Sequence, residues 1–314
     1  MSSPATGRRT AARGLVSGLE WTPAQVRDLL RLAGKMKANP GRFRHALEGR
    51  FVALIFEKPS LRTRVTLEIG AASLGAQAVF VDNSTSRMGE REPVRDVARN
   101  LERWVDAIAV RTFAQETVEE LSRNASVPVI NALSDRFHPC QALTDIFTLE
   151  ERFGGLRGLT LAYVGDGNNV CHSLLVAAAQ TGLAIRVACP AAFQPHADVM
   201  QGARRLAELT GASIETFTTP EAAVAGARAV YTDVWASMGQ EHEAQARAKI
   251  FAHFQVNRRL FEQAARGAVF LHCLPAHRGL EVTEDVIDSP QSLIYEQAEN
   301  RLHVGKAVLA SLAD

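Results

Sequence analysis

Four side chains between positions 60 and 64 carry groups that bind oxyanions: the hydroxyls of Ser60 and Thr63 and the guanidiniums of Arg62 and Arg64. The apolar run at 51–56 before them predicts a buried strand, and helical spacing begins soon after it. A helix N-terminus adds unpaired N–H groups and the positive end of the helix dipole. Because the planar fork of arginine matches pairs of phosphate oxygens, we expect a phosphate site here rather than an ordinary Ser cap with exposed arginines.

Two further segments place polar side chains directly after predicted strands. Arg111 follows the strand at 107–110, and His138 and Gln141 begin the helix that follows the strand at 127–131. Ligands of open parallel α/β sheets bind beyond the carboxyl ends of the strands, so Arg111 can meet the same anion. The imidazole and the amide suit a polar, uncharged group such as a carbonyl with its amine. A surface arginine and a helix cap are the alternative interpretation.

A second alternation of strands and helices begins after the glycine-rich boundary at 154–158. Asn168 lies in the tight turn after the first strand of this half, and Asp233 ends a later strand. A carboxylate there can bind a substrate ammonium, and the glycine-containing turn with Ser237 and Met238 can close over it. A helix cap is the alternative role for Asp233.

The turn Gly165-Asp166-Gly167 resembles the start of a dinucleotide-binding fingerprint and suggests a nicotinamide oxidoreductase as a rival. Two features weaken that interpretation. Val170 occupies the position of the third glycine, and Cys189-Pro190-Ala191 stand where an acidic ribose-binding residue is expected.

The composition favours a globular protein that binds a small molecule. A chain of 314 residues with 46% hydrophobic and 22% charged residues can bury a large core, and its length predicts two domains. The net charge of +1 provides no overall field for nucleic acid or for an anionic membrane. No apolar run predicts a membrane span, and we interpret the residues up to about Arg13 as a loose tail.

The four cysteines, Cys140, Cys171, Cys189 and Cys273, are too widely spaced to indicate a zinc site or a disulfide framework. A reducing cytoplasm fits this usage. Cys273 follows a histidine after the last predicted strand, which invites a nucleophile interpretation, although a buried inert cysteine is more usual.

The order of elements predicts an α/β fold of two domains, each an open, mainly parallel sheet flanked by helices. We place the first domain at residues 1–145 and the second at 146–296. A C-terminal helix at about 297–314 is expected to pack back across the first domain.

Five segments together resemble the aspartate/ornithine carbamoyltransferase family, its ornithine branch in particular, over about residues 21–312. Each segment is modest alone, but all five in this order are highly specific. They are Ser60-Leu61-Arg62-Thr63-Arg64, His138-Pro139-Cys140-Gln141, Gly165-Asp166-Gly167-Asn168-Asn169, Asp233-Val234-Trp235-Ala236-Ser237-Met238-Gly239 and His272-Cys273-Leu274-Pro275.

The resemblance implies a carbamoyl-phosphate-binding first domain and an ornithine-binding second domain. In the family pattern, the phosphate is bound by Ser60, Leu61, Arg62, Thr63, Arg64 and Arg111. The carbonyl oxygen is polarised by Arg111, Thr63 and His138, and the amide nitrogen is held by Gln141 and main-chain carbonyls near Cys273 and Leu274. Ornithine is contacted by Asn168, Asp233, Ser237 and Met238, and Arg301 reaches the reaction centre from the C-terminal helix.

Two positions depart from the family pattern. Leu61 replaces the commoner threonine, which removes a hydroxyl and leaves only the backbone N–H as a donor. Arg87 lies where relatives often carry Gln or His that reach into a neighbouring subunit's site. Arginine can still contact phosphate, so Arg87 is included among the expected carbamoyl phosphate contacts, from a neighbouring subunit.

The resemblance further implies transfer of the carbamoyl group of carbamoyl phosphate to the δ-amine of L-ornithine, giving L-citrulline and phosphate in arginine metabolism. It implies no cofactor and no metal, and a cytoplasmic homotrimer that can assemble further. The rivals are carbamoyltransferases that use N-acetylornithine, aspartate or putrescine, the oxidoreductase above, and a catalytically silent binding protein.

Overall fold

Two β-sheets form the centre of the molecule, one in each half of the chain. The structure, a computed structural model, describes residues 14–236 and 241–312. The strands of the first sheet are β1 (Gly14–Leu15), β2 (Phe51–Phe56), β3 (Gln77–Asp82), β4 (Ala107–Arg111) and β5 (Val129–Leu133). Their order is β1-β5-β4-β2-β3, and every neighbouring pair is parallel.

The second sheet is also parallel throughout. Its strands are β6 (Thr160–Val164), β7 (Ala184–Ala188), β8 (Ile214–Phe217), β9 (Ala229–Thr232) and β10 (Val269–Leu271). Their order is β10-β9-β6-β7-β8. The carboxyl ends of β6 and β9, which are neighbours, therefore lie at one edge of this sheet.

Helices flank both sheets. Those of the first half are α1 (Pro23–Ala38), α2 (Leu61–Ser73), α3 (Val94–Leu101), α4 (Gln115–Asn124) and α5 (Pro139–Phe153). Those that follow are α6 (Asn169–Thr181), α7 (Ala197–Thr210), α8 (Pro220–Val224), α9 (Ala244–Phe251), α10 (Arg258–Phe261), α11 (Glu284–Ile287) and α12 (Ile294–Leu312). Short 3₁₀ turns occupy Pro40–Phe43, Ala191–Phe193, Glu241–Glu243 and Ala252–Phe254.

The central strands are apolar on both faces because helices cover both sides of each sheet. In β4, for example, Ile108, Ala109 and Val110 are fully buried. The polar residue of β4, Arg111, stands at its carboxyl end, where a ligand can reach it.

The last helix, α12, packs against α1, α2 and α5 of the first half. The predicted two-sheet α/β fold with a returning C-terminal helix is therefore confirmed. The first and second halves also share one apolar cluster, because α5 packs directly against α6.

Three features of the fold were not predicted. The strand β1 is only two residues long and exists because it pairs with β5, a long-range contact that leaves no local pattern. Gly14 is required in it, since φ is 156° and a Cβ atom would lie 2.2 Å from the carbonyl oxygen of Val129. Short helices α9 and α10 fill a stretch for which no element is predicted, and α11 follows β10 in the same way.

Among the helices that the structure describes, none combines the length and the apolar character needed to cross a bilayer. Residues 1–13, interpreted above as a loose tail, lie outside the described part of the chain.

Candidate active site

The turn after β2 forms the N-terminus of α2, as expected. Ser60 is the N-cap residue, and its hydroxyl accepts a hydrogen bond of 3.3 Å from the Thr63 N–H. Leu61 is 75% exposed, so its side chain packs little against the rest of the chain, while its backbone remains in the turn. Arg62 is half-buried and lines the cleft beside this turn.

Arg111 is buried at the carboxyl end of β4, next to β2 in the sheet. Burial, and next the nearby guanidiniums of Arg301 and Arg62, lower the pKa of Arg111 to about 10. At that value the group remains a cation at neutral pH. Three guanidiniums therefore crowd one region, and a bound anion relieves their repulsion.

Arg301 of α12 connects two of the predicted elements. Its Nη2 donates a 2.7 Å hydrogen bond to Thr63 Oγ1 in α2, and its Nη1 donates to Gln141 Oε1 in α5. The Gln141 Nε2 donates in turn to Asp145 at 2.7 Å. The C-terminal helix thus fixes the relative positions of the two helix N-termini that face the cleft.

His138 is the residue before α5 and is buried, with Pro139 at the first helical position. Its backbone N–H donates to Ser173 Oγ of α6 at 2.7 Å, which joins the two halves of the chain. Burial, followed by the charges of Arg301 and Arg111, holds the pKa of His138 well below its ordinary value. The imidazole is therefore neutral and can donate a hydrogen bond to a carbonyl oxygen.

The second sheet supplies a different set of groups. Asn168 caps α6: its Oδ1 accepts hydrogen bonds from the backbone N–H groups of Val170 and Cys171. Its Nδ2 donates to Asp233 Oδ2 at 2.8 Å. The other oxygen of Asp233 accepts from Cys273 Sγ at 3.1 Å. Asp233 thus lies between an amide and a thiol at the ends of β9, β6 and β10.

The thiol of Cys273 stays protonated. Burial, and next the charge of Asp233, raises the pKa of Cys273 well above its ordinary value. A thiol in this state is a weak nucleophile, which favours the inert interpretation of this residue. Its neighbour Leu274 has a φ of 59°, a conformation that costs a residue with a side chain roughly 1 to 3 kcal/mol.

A cleft of about 900 Å³ brings most of the predicted residues together between the two sheets. The predicted residues that line it are Ser60, Leu61, Arg62, Thr63, Arg87, Arg111, His138, Asn168, Asp233, Cys273, Leu274 and Arg301. Gln141 lies one hydrogen bond behind the cleft, at Arg301. Ser237 and Met238 lie outside the described residues.

Arg64 does not line the cleft, unlike the other residues predicted to bind the phosphate. Its guanidinium lies 3.5 Å from the centre of the Phe80 ring and bonds Glu68 at 2.9 Å. The reason is the helical turn of about 100° per residue, which directs positions 62 and 64 to different faces of α2.

Comparison with known sequences assigns the chain to a family. The carbamoyl-P binding domain of the aspartate/ornithine carbamoyltransferases matches residues 13–151, and their Asp/Orn binding domain matches residues 157–312. The chain belongs to the aspartate/ornithine carbamoyltransferase family.

Relatives in this family are similar over nearly their whole length. An ornithine carbamoyltransferase of Thermus thermophilus is 50% identical over 305 residues, which is 96% of this chain and 97% of the relative. The solved ornithine carbamoyltransferase of Pyrococcus furiosus has a TM-score of 0.92 and 46% identity, covering 96% of this chain and 97% of the other. A solved N-acetyl-L-ornithine transcarbamylase has a TM-score of 0.85 and 30% identity, covering 95% and 99%.

Arg87, the departure from the family pattern, lines the cleft of its own chain. Its guanidinium lies 4.2 Å from the centre of the Phe113 ring. The neighbouring Met88 N–H donates a 2.6 Å hydrogen bond to the buried carboxylate of Glu57, which anchors the loop beside β2.

Two groups at the cleft were missed in the sequence. Lys58 is buried two residues before Ser60, and its ammonium lies 4.2 Å from the centre of the Phe113 ring. Burial, and next the charge of Arg111, lowers the pKa of Lys58 to about 8. The sequence signal that could have identified Lys58 is its position in the turn that binds the oxyanion.

The second missed group is an ion pair. Arg247 of α9 donates to Asp166 Oδ2 at 2.8 Å and to the Trp235 carbonyl at 2.9 Å, and both charged residues line the cleft. Burial raises the pKa of Asp166 to about 6 even though the charge of Arg247 opposes the shift. No local pattern could reveal this pair, because its members are 81 residues apart.

Within the described part of the chain, one group of side chains is close enough to share a metal ion: the ligand atoms of Asp233, His272 and Cys273 lie within 4.8 Å of one another. The Cys273 thiol is kept protonated, as described above, and His272 Nδ1 already accepts a hydrogen bond of 2.9 Å from the Leu274 N–H. These bonds make the group a poor donor set for a cation.

Proposed function

We propose that the chain transfers the carbamoyl group of carbamoyl phosphate to the δ-amine of L-ornithine, giving L-citrulline and phosphate. One observation carries the proposal: a cleft with three guanidiniums from Arg62, Arg111 and Arg301 on one side faces the Asn168-Asp233-Cys273 group on the other. Membership of the carbamoyltransferase family and identity of 46 to 50% to relatives named ornithine carbamoyltransferase support it.

The phosphate is assigned to the N-terminus of α2. Ser60, Thr63 and the Leu61 N–H offer neutral donors there, and Arg62 and Arg111 offer charge. Arg64 is left out of this set because its guanidinium is bound to Glu68 and Phe80. Arg87 is assigned an auxiliary contact with the phosphate.

The carbamoyl group is assigned to the middle of the cleft. Arg111, Thr63 and the neutral imidazole of His138 polarise the carbonyl oxygen, and the carbonyls near Cys273 and Leu274 accept hydrogen bonds from the amide nitrogen. For Gln141 to contact that nitrogen directly, its hydrogen bond with Arg301 must open when the substrate binds.

The acceptor is assigned to the second half of the chain. The carboxylate of Asp233 and the amide of Asn168 present a negative and a polar surface to an amino acid. Ser237 and Met238 complete this assignment by the family pattern. Asp233 and Cys273 orient the amine, and the high pKa of the thiol makes Cys273 unsuitable as a base.

The reaction follows from these assignments. The neutral δ-amine attacks the carbonyl carbon, a tetrahedral oxyanion forms, and the C–O bond to phosphate breaks. The departing phosphate takes the proton that the amine loses. Alignment of the two reactants can supply roughly 7 to 11 kcal/mol, and the fixed cations stabilise the oxyanion without reorganising.

The decisive test is phosphate release from carbamoyl phosphate with each candidate acceptor at equal concentration, with the carbamoylated product identified in each reaction. We expect turnover with L-ornithine and only trace turnover with N-acetylornithine, aspartate or putrescine. Asp233 would repel aspartate, and the acceptor-side guanidinium of Arg247 is already paired with Asp166. Efficient turnover of any other acceptor would overturn the assignment to ornithine.

The oxidoreductase rival is disfavoured by the backbone around Gly167. A Cβ atom at Gly167 would lie 2.5 Å from the carbonyl oxygen of Phe193, and the Gly167 N–H bonds that oxygen at 2.9 Å. The chain itself therefore occupies the place where the pyrophosphate of a dinucleotide would approach this turn. Titration with NADH should show no binding.

We further assign the carbamoyl phosphate domain to residues 1–145 with the returning α12, and the ornithine domain to 146–296.

The proposed assembly is a homotrimer. Its support is an apolar stripe on α2, formed by the exposed Leu61, Val65 and Ile69 at four-residue spacing and adjoining the cleft at Leu61. The four cysteines are free thiols, which supports the proposed cytoplasmic location. Light scattering of the purified protein tests the trimer.

A further inference from the structure

The segment after β10 reaches the cleft through a strained residue. Cys273, Leu274 and Pro275 line the cleft, and within residues 14–236 and 241–312 Leu274 is the only non-glycine residue with a positive φ. A residue with a side chain keeps such a conformation only where its surroundings determine it. The groups that hold Leu274 therefore determine the shape of this wall of the cleft.

His272 is the group in direct contact with the Leu274 backbone. Its ring is fully buried, and its Nδ1 accepts a 2.9 Å hydrogen bond from the Leu274 N–H. The His272 backbone N–H donates to Gln297 Oε1 of α12 at 2.9 Å, so the residue is fixed at both ends. Because Nδ1 is an acceptor, the neutral ring carries its hydrogen on Nε2.

A buried carboxylate lies beside Nε2, within contact distance but without the alignment of a hydrogen bond. Glu281 Oε1 lies 3.4 Å from His272 Nε2 and accepts a 2.5 Å hydrogen bond from the His277 N–H. Glu281 is fully buried, and its Oε2 has no hydrogen-bond partner among the described residues. The same Oε2 lies 3.7 Å from the Nδ1 of the His277 ring. The negative charge of Glu281, 3.4 Å from Nε2 in a buried setting, favours the tautomer that carries its hydrogen on that nitrogen.

We propose that Glu281 and His272 are positioning residues for the carbamoyl group. Glu281 orients the His272 ring, and the ring holds Leu274 in the left-handed conformation that shapes the carbamoyl pocket. This inference rests on the proposed function, which assigns the amide nitrogen of carbamoyl phosphate to the Leu274 region. Inorganic phosphate lacks the carbamoyl group and is assigned to the opposite wall, so the pair should affect carbamoyl phosphate but not phosphate.

Two variants of His272 separate the two ring nitrogens. His272→Asn keeps an acceptor near the Nδ1 position for the Leu274 N–H, whereas His272→Gln keeps a donor near the Nε2 position and loses that acceptor. We expect His272→Gln to raise the KM for carbamoyl phosphate about tenfold, the size of one lost buried hydrogen bond. His272→Asn should raise it less.

A second pair tests the carboxylate. Glu281→Leu removes both contacts of Oε1, while Glu281→Gln keeps one carbonyl oxygen for them. The KM for carbamoyl phosphate should rise more in Glu281→Leu than in Glu281→Gln. In every folded variant the inhibition constant of inorganic phosphate should stay within about twofold of wild type, since the phosphate donors are untouched.

The readouts are KM for carbamoyl phosphate and the inhibition constant of phosphate from one citrulline assay, with Tm recorded for each variant. A lower Tm with an unchanged ratio of the two constants would indicate a merely structural role and would overturn the inference. Equal KM values in both members of the His272 pair and of the Glu281 pair would do the same. If the wild type made no citrulline, the proposed function would fail instead. Should one variant not fold, the other pair decides.

Discussion

The two walls of the cleft are built on the same plan but with opposite chemistry. Each wall uses the carboxyl end of a parallel sheet and the N-terminus of the helix that follows, α2 on one side and α6 on the other. The first wall carries Arg62, Arg111 and Arg301, and the second carries Asn168 and Asp233. The architecture therefore sets where a ligand binds, and the residues at the strand ends set which charge it must have.

The walls differ also in how their groups are satisfied before a ligand arrives. On the second wall Asn168, Asp233 and Cys273 bond one another, so a substrate must exchange those bonds for its own. On the first wall the guanidiniums of Arg301 and Arg62 lie close enough to Arg111 to lower its pKa. An anion there relieves repulsion, whereas an amino acid at the second wall replaces existing bonds.

The largest effect is predicted for removal of a guanidinium from the first wall. Arg62→Met should lower kcat/KM for carbamoyl phosphate about 10²- to 10³-fold, because one fixed cation at the departing phosphate is lost. Arg64→Met is the matched control, since the same side chain two positions along faces Glu68 and Phe80 instead; its cost should be a small fall in Tm. Steady-state kinetics and thermal unfolding of both variants measure this. Equal losses of activity would contradict the two orientations.

The next largest effect is predicted for removal of the Asp233 charge from the second wall. Asp233→Asn keeps the size of the side chain but removes the charge, and should raise the KM for ornithine about 10- to 100-fold. The affinity for inorganic phosphate should not change, because the first wall is intact. Isothermal titration with phosphate, together with ornithine kinetics, checks both statements. A parallel loss of phosphate affinity would show that the walls are not separable.

A smaller effect tests the connection between α2, α5 and α12. Arg301→Lys keeps a positive charge but cannot bond Thr63 and Gln141 together, because lysine lacks the guanidinium fork. We expect kcat to fall about tenfold with a modest change of Tm. Wild-type kcat in this variant would mean that charge alone matters at this position.

The smallest effect is a pH dependence from Lys58, whose pKa is lowered to about 8. Its ammonium attracts phosphate below that pH, and bound phosphate raises its pKa. Affinity for phosphate is therefore full below pH 8 and falls a few-fold as the pH rises through 8. Lys58→Met should bind more weakly at pH 7 and lose this step. Titrations of phosphate at several pH values between pH 7 and about 9.5 measure it, and an unchanged step in the variant would assign it to another group.

The sequence predicted which residues lie at the ends of strands, but not which residues of a helix face the cleft. The apolar runs fix where β4 and β9 end, and so they locate Arg111 and Asp233 from sequence alone. Arg62 and Arg64 have the same chemistry in one turn, and only the packing of α2 against β3 decides which one reaches the cleft. The Asp166–Arg247 pair and the Glu281–His272 contact join distant or irregular segments, so they leave no periodic signal.

The most direct test of the central claim is a crystal structure with a bisubstrate analogue that joins a phosphonate, a carbonyl and the ornithine side chain. The account predicts the phosphonate at the N-terminus of α2, bonded by Arg62 and Arg111, and the amino acid end beside Asn168 and Asp233. A phosphonate bound elsewhere, or an amino acid end at the guanidinium wall, would contradict it.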